Sequence, residues 1–319
     1  MDEAFHSPTS NLSDPSTFSL CLDILPFPND QAQIHPHTKE LWFFQGSQLH
    51  TYANAKITLV QQFQNQQPGR LIFFTKKGNV LTSQEDTGEV MLSQDGGETF
   101  RTVLRLSTAH SWAMNWGVEE IDNFLLLGEY HLGLQPAANV YISLNDGETW
   151  ERYLEFKNQR HVHFIRRDPY SKYIYLTTGD DSKDVLISDI SSLQFRTLYG
   201  NSELMSVGFT TDYVALGSDK ERENFILLQY RNGKTVRNDL KPPRDLMVYD
   251  FAFIPPAVIS TNRLSQNIDV KIREQNVNCL WSVEHNKAVA ELEAFYLSNV
   301  VDRVAYTGRT ERTLRITRG

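Results

Sequence analysis

The residues best placed to do chemistry are two histidines one residue apart, His161-Val-His163. On an extended strand, positions i and i+2 project from one face. Two imidazoles on one face can hold a divalent metal, or one can act as general acid/base while the other orients it. The plainer alternative is a buried pair satisfied by hydrogen bonds to neighbouring segments. His131 lies two residues after Glu129. If it approaches the same place, His131, His161, His163 and Glu129 form a metal set, so a divalent metal is the one cofactor the sequence suggests. Arg70 offers a planar fork for a carboxylate, and Tyr249 a proton donor or nucleophile. His110, Trp112, Asn115 and Trp116 cluster within seven positions. Aromatic platforms of this kind suit sugar rings or apolar substrates, and tryptophans serve equally in packing. The sequence contains no Gly-rich phosphate loop, nucleophile elbow, His-Glu-x-x-His or zinc cysteine set.

The elements that must position these residues are strands. Helical periodicity is nearly absent. Short apolar runs ending in Gly or a small polar residue recur instead. They are Leu41-Trp-Phe-Phe-Gln-Gly46, Asn79–Ser83, Phe124–Gly128, Tyr173–Gly179, Tyr213–Gly217, Ala257–Thr261 and Arg303–Gly308, spaced 38 to 49 residues apart. Each period holds four short strands. Radial repetition of four-stranded antiparallel sheets is the propeller solution to exposed strand edges. The runs are continuously apolar because a middle strand is covered on both faces by its neighbours. The expected fold is therefore an all-β β-propeller, with seven blades preferred and six as the alternative. The segment Phe18–Leu25 alternates like a strand and is expected to complete the last blade. Residues 1–17, rich in Ser, Thr, Pro and Asn, form a tail, and 18–319 a single propeller domain.

In such a ring each innermost strand starts at the axis, so ligand-binding groups converge at one mouth of the central channel. His161 and His163 open the innermost strand of the fourth unit. Arg70 and Tyr249 sit at the starts of two others.

Two segments share a turn pattern. Ser93-Gln-Asp-Gly-Gly-Glu-Thr-Phe100 and Ser143-Leu-Asn-Asp-Gly-Glu-Thr-Trp150 start 50 residues apart. An Asx side chain is expected to bond the backbone two residues on, with glycine taking a positive φ. Both segments resemble the Asp-box. Together with Leu127-Gly-Glu-Tyr130, His161–Tyr170, Leu176–Asp180 and Val214–Asp219, they resemble a group of bacterial sialidase-like (BNR-repeat) propellers. That resemblance implies architecture rather than activity. True sialidases carry an early Arg-Ile-Pro segment, which this sequence lacks, so sialidase activity is not expected.

Composition narrows the function classes. A formal net charge of -8 repels polyanions, which argues against nucleic-acid or anionic-membrane partners. No apolar stretch approaches the roughly 18 residues needed to span a bilayer, and the N-terminal residues lack a signal-peptide pattern, so a cytoplasmic location is expected. The favoured function is an acid/base enzyme, a hydrolase, lyase or cofactor-independent tailoring enzyme. It would act in the central channel on a carboxylate-bearing or glycan-like small molecule. The alternative is a non-catalytic scaffold that binds a protein or saccharide.

Overall fold

The computed structural model describes the backbone of residues 20–25, 31–131, 138–179, 182–220, 223–240, 246–254, 257–264, 277–282, 287–293, 296–301, 303–307 and 313–318. Side chains are described over 31–131, 138–179, 182–220 and 223–240, and at Val248 and Phe251. The expected tail, 1–17, lies outside the described residues. The described residues contain no helix long and apolar enough to cross a membrane.

The chain opens with β1 (Leu20–Leu25). A first sheet follows, β2 (Gln31–Ile34), β3 (Leu41–Gln45), β4 (Gln48–Ala53) and β5 (Lys56–Gln62). The second is β6 (Gly69–Phe74), β7 (Val80–Gln84), β8 (Glu89–Ser93) and β9 (Arg101–Arg105). The third is β10 (Ser111–Ile121), β11 (Phe124–His131), β12 (Ala138–Ser143) and β13 (Glu151–Phe156). The fourth is β14 (His161–Arg167), β15 (Tyr173–Gly179), β16 (Val185–Asp189) and β17 (Arg196–Tyr199). The fifth is β18 (Leu204–Phe209), β19 (Tyr213–Ser218), β20 (Phe225–Tyr230) and β21 (Thr235–Asp239). Beyond these come β22 (Leu246–Ile254), β23 (Ala257–Leu264), β24 (Val277–Ser282) and β25 (Lys287–Glu293), then β26 (Tyr296–Val301), β27 (Arg303–Thr307) and β28 (Thr313–Arg318).

These strands pair into four-stranded antiparallel meanders. The last sheet runs β1-β28-β27-β26, so the N-terminal strand pairs with the C-terminal one, Leu20 opposite Arg318 and Leu25 opposite Thr313. The seven recurrent apolar runs are the second strands, β3, β7, β11, β15, β19, β23 and β27. The first strands, β2, β6, β10, β14, β18, β22 and β26, touch one another in cyclic order.

Packing between sheets supplies the core. Leu71, Leu81, Val118, Leu125 and Leu127 join the second sheet to the third, and Leu126, Val140, Val162, Ile165 and Leu176 join the third to the fourth. Each such side chain, fully buried, contributes about 1.5–3 kcal/mol. Outer strands read differently. β21 alternates exposed and half-buried residues, and β9 carries exposed Arg101 and Arg105, charges that blunt an open edge.

The two repeated turns share one geometry. In the first, Ser93 Oγ accepts from the Gly97 amide at 2.8 Å and Asp95 Oδ1 accepts from the Thr99 amide at 2.9 Å. In the second, Ser143 Oγ accepts from Gly147 N at 2.9 Å and Asn145 Oδ1 from Thr149 N at 3.0 Å. The Asx oxygen therefore reaches four residues along, not the expected two, because two successive residues, Gly96 and Gly97 or Asp146 and Gly147, take positive φ and lengthen the turn. Hydrogen bonds from Thr99, then Ser93, hold the Asp95 carboxyl down at about 2.

One inner strand departs from the rest. β10 spans 11 residues, and its pairing with β11 jumps between Ala113 and Val118. The intervening segment, residues 114–117, leaves the ladder and bridges other sheets. Asn115 Oδ1 accepts from the Ile72 amide of β6 at 2.7 Å, and its Nδ2 lies 3.4 Å from the Ala32 carbonyl of β2. On the other side the Trp116 carbonyl accepts from Arg166 Nη1 at 2.9 Å, and its ring stacks on Phe164 at 5.9 Å. This wedge ties the third sheet to the first, second and fourth at the level of the inner strands.

Candidate functional site

The histidine pair is assembled by a bulge. On β14, His161 pairs with Gly179 and Val162 with Thr178, but Phe164 pairs with Thr177. His163 is thus the extra residue, and a bulge re-aims one side chain at the cost of a ladder bond. The same slip recurs on other inner strands, at Arg70 between Gly69 and Leu71, at Met205 between Leu204 and Ser206, and at Tyr249 between Val248 and Asp250. Arg70, His163 and Tyr249 therefore hold one register position on three sheets. The side chain of Tyr249 lies outside the described residues.

The two imidazoles meet edge to edge, with Nε2 to Nε2 at 2.8 Å. His161 Nδ1 is 3.1 Å from the His131 carbonyl, which can only accept, so Nδ1 carries a proton. A neutral His161 then accepts at Nε2, and His163 donates from its Nε2–H. Burial first, then the neighbouring His161 and the Lys183 charge, push His163 well below the ordinary histidine value. It is accordingly neutral at pH 7, with Nδ1 as its basic atom. His161 is 0% exposed and His163 7%, so both are buried and His163 alone keeps some surface.

Glycine makes room for the pair. A Cβ at Gly179 would lie 1.7 Å from His163 Nε2 and 2.6 Å from His161 Nε2. Tyr130 of β11 stacks on His161 at 4.1 Å and 16° and packs against Trp112 at 5.3 Å. Trp112 Nε1–H is directed at the Met114 sulfur, 3.0 Å away. Lys183 is held between Glu203 at 3.2 Å and Asp219 at 3.3 Å. Burial alone would lower the Lys183 pKa, but the two carboxylates outweigh it and raise it.

Other residues chosen from sequence sit elsewhere or are already engaged. Glu129 is wholly buried, and both its oxygens are taken. Oε1 accepts from the Ser107 amide at 3.0 Å and the Ser107 hydroxyl, and Oε2 from Asn139 Nδ2 at 2.7 Å and the Tyr141 hydroxyl at 3.1 Å. Burial and the Glu129 charge together push the Tyr141 phenol above its usual range. His131 gives the pair its backbone carbonyl. Among the described residues no group of three or more His, Cys, Asp or Glu side chains is arranged to hold a metal, and the set of His131, His161, His163 and Glu129 is not gathered. A 2.8 Å contact between the two Nε2 atoms is a hydrogen bond, with no room left between them for an ion. Arg70 donates through Nε at 2.8 Å, and through Nη2, to Glu85, so its fork is occupied. His110 is exposed, its Nδ1 3.8 Å from Asp86. Trp112 and Trp116, at 4% and 7% exposure, are packed in the inner cluster and present no open platform.

Sequence reasoning passed over Tyr130, Gly179, Met114 and Lys183. Tyr130 directly follows Glu129 and Gly179 ends an apolar run, so both lay inside patterns already noted. Nothing local marks Met114 or Lys183.

No family model matches the sequence, and no curated protein matches it. Solved structures do. The chain superposes on a catalytically inactive histidine-to-alanine variant of virginiamycin B lyase from Staphylococcus aureus, with quinupristin, at TM-score 0.67 and 11% identity, covering 94% of this chain and 99% of that one. A streptogramin B lyase structure gives 0.65 at 11% identity, covering 94% and 98%. A chain of a mitotic checkpoint complex gives 0.63 at 11% identity, covering 100% and 98%. The likeness is one of fold, and the chain is an all-β β-propeller.

Proposed function

We propose that the protein is an acid/base enzyme acting on a small molecule at the mouth where β14 begins, with His163 as the proton-transferring residue and His161 positioning it. The observation that carries this reading is the buried Nε2 to Nε2 hydrogen bond, which fixes one tautomer of a neutral imidazole. His163 Nδ1 takes a proton from the substrate. The resulting positive charge is shared through the Nε2 contact with His161, whose Nδ1–H is anchored on the His131 carbonyl and whose ring lies under Tyr130. An aromatic face over a cation stabilises it. Returning the proton from Nδ1 to the leaving group completes an elimination, and in a hydrolysis the proton taken first comes from the attacking water. Acid/base catalysis of this kind contributes about 10²–10⁴-fold. The depressed pKa keeps the base form populated at neutral pH and limits its strength.

The fold neighbours lend support. A histidine variant of the virginiamycin B lyase is catalytically inactive, so a propeller of this shape can house histidine-dependent chemistry. The two serine-led turns support placing the chain with the Asp-box propellers. A non-catalytic scaffold is the second reading, favoured by the hydrogen bond that ties His161 to the neighbouring sheet. The test is a turnover screen with quinupristin, sialosides and uronides, followed by mass spectrometry for wild type and His163→Ala, alongside imidazole nitrogen NMR against pH. Turnover that disappears in a folded His163→Ala variant supports the enzyme. A His163 already protonated at pH 7, or turnover unchanged in the variant, rejects it.

A further inference from the structure

The hairpin between β20 and β21 carries a reaction that the histidine pair plays no part in. Asn232-Gly233 is the one Asn-Gly step in the sequence. Both residues are exposed on the turn, and Gly233 takes a φ of +88°, which glycine accepts without strain. Because Gly233 has no Cβ, its amide nitrogen is sterically open to the Asn232 carboxamide. Two bonds hold the turn in its present shape. The Gly233 amide donates to the Tyr230 carbonyl at 2.9 Å, and the Lys234 amide donates to Asn232 Oδ1 at 3.0 Å. Arg231, one residue earlier, is clamped. Its amide donates to the Asp212 carbonyl at 2.8 Å, and its guanidinium donates to the Asp168 carboxylate and the Thr210 carbonyl. The Asp-Gly steps of the two repeated turns differ. Their side chains are carboxylates, which are poor acyl acceptors, and each is held by two residues, Asp95 by Ser93 and Thr99 and Asp146 by Thr75 and Asn79.

We propose that Asn232 is a site of spontaneous, imide-mediated deamidation, and that the fold restrains the reaction by keeping the β20–β21 turn closed. The co-reactants are water and hydroxide. The Gly233 amide gives its proton to hydroxide, and its nitrogen attacks Asn232 Cγ. The N–Cγ bond forms, the Cγ–Nδ2 bond breaks, and Nδ2 leaves as ammonia after taking a proton from water, which restores the hydroxide. Water then opens the five-membered imide at one of its two carbonyls. Opening at Cγ leaves aspartate. Opening at the main-chain carbonyl leaves isoaspartate, with one more methylene in the backbone. In the closed turn the proton that must leave is held on the Tyr230 carbonyl, and the carboxamide is held toward Lys234. Both bonds have to open before Cγ reaches the nitrogen, and the clamped Arg231 resists that opening. The two products differ in consequence. Aspartate keeps the acceptor for the Lys234 amide and adds one negative charge to a chain of formal net charge -8. Isoaspartate lengthens the turn next to the residue that joins the fifth sheet to the fourth.

The test compares the folded full chain, the same chain in urea, and a peptide of residues 229–237, all in mildly alkaline water enriched in heavy oxygen. Mass spectrometry of the fragment carrying residue 232 reads the rate, and hydrogen exchange reads the protection of the Gly233 amide. The peptide and the unfolded chain should convert at one rate and take up heavy oxygen. The folded chain should convert about 5- to 100-fold more slowly, the effect of two hydrogen bonds of ordinary net strength that must open locally. Protection of the Gly233 amide should be of the same size. Arg231→Gln should bring the folded rate toward that of the peptide, while the peptide with the same change keeps its rate. Slow exchange at Leu216 in β19 shows in the same sample that the variant is folded. Asn232→Gln would need a six-membered ring and should stay unmodified. A folded rate equal to the peptide's, or a Gly233 amide that exchanges freely, overturns the restraint, and a folded Arg231→Gln chain with the wild-type rate overturns the clamp. An unfolded chain that keeps Asn232 intact, or an Asn232→Gln chain that gains mass in that fragment as fast as wild type, overturns the site itself.

Discussion

Replacing Gly179 by alanine should break the histidine pair without touching either histidine. Gly179 is absent from the positive-φ positions, so its backbone accepts a side chain and the substitution introduces no dihedral strain. The obstacle is steric. The new methyl would sit 1.7 Å from His163 Nε2 and 2.6 Å from His161 Nε2, where ordinary contact begins near 3.4 Å. One ring must swing away, and the 2.8 Å bond between the rings cannot survive that movement. Overpacking costs about 1–3 kcal/mol, and a buried donor left without its acceptor about 1–3 kcal/mol more. The stiffer unfolded chain returns about 0.4–1 kcal/mol. The expected net loss is about 2–4 kcal/mol in urea unfolding. In a His163→Ala background the nearest obstacle is gone and only the 2.6 Å approach to His161 remains, so the same substitution should cost about 1 kcal/mol. The cycle then shows a coupling of about 1–3 kcal/mol, within the range for residues in contact. Equal costs in the two backgrounds would mean that Gly179 is not the notch that shapes the pair, and the positional account of His163 would fail.

Three further outcomes follow from the same geometry. Arg231 forks onto Asp168 at 2.5 and 2.9 Å, joining the fifth sheet to a fully buried carboxylate of the fourth; Arg231→Ala should cost about 3–5 kcal/mol in urea unfolding, because it strands a buried charge. Glu129→Gln turns one of the two acceptor oxygens into an N–H₂ that faces two donors and should lose about 1–3 kcal/mol by the same assay, with a shift in the Tyr141 ring signals as a local readout. The third is a pH slope. His163 is neutral in the fold but takes up a proton below about 6.5 when unfolded, so between its depressed value and 6.5 the unfolded state binds more protons. Stability should therefore fall as pH drops below 6.5, by up to about 1.4 kcal/mol per unit, and His163→Gln should flatten that slope. The partly buried Glu119 acts in the opposite sense. Burial raises it from 4.5 to about 7, so its contribution is lost as pH rises through that window. The comparison between wild type and His163→Gln isolates the histidine.

The strands were legible because their signal is local. Each second strand is an apolar run covered on both faces, and β1 could be matched to the end of the chain by its alternation alone. The position of His161 and His163 at the start of an inner strand followed from the same period. What the sequence does not encode in residue types is register. The slips that align Arg70, His163, Met205 and Tyr249 come from pairing between strands, and Met205 carries no chemical mark to draw notice. The wedge was visible as a cluster of His110, Trp112, Asn115 and Trp116. Its meaning was not, since the jump in pairing between Ala113 and Val118 and the contact from Asn115 to Ile72 show that the segment has left its own sheet, and neither is written in residue types. Glu129 misled for a related reason. A carboxylate two residues from a histidine reads as a ligand until its four donors, two of them from a preceding loop, are in view.

Charge and chemistry are separated in this propeller, and the separation follows from how the inner strands are built. Where an inner-strand bulge turns a cation toward the mouth, as at Arg70, a carboxylate on the adjoining loop neutralises it. Where it turns out an imidazole, as at His163, the partner is a second imidazole and then a backbone carbonyl, neither of which fixes a charge. A proton arriving at His163 can therefore be shared with His161 across their 2.8 Å contact. The same arrangement explains why burial matters more here than any single neighbour. With Tyr130 stacked on His161 and the His131 carbonyl on its Nδ1, the pair keeps one tautomer, and that tautomer leaves His163 Nδ1 as the basic atom.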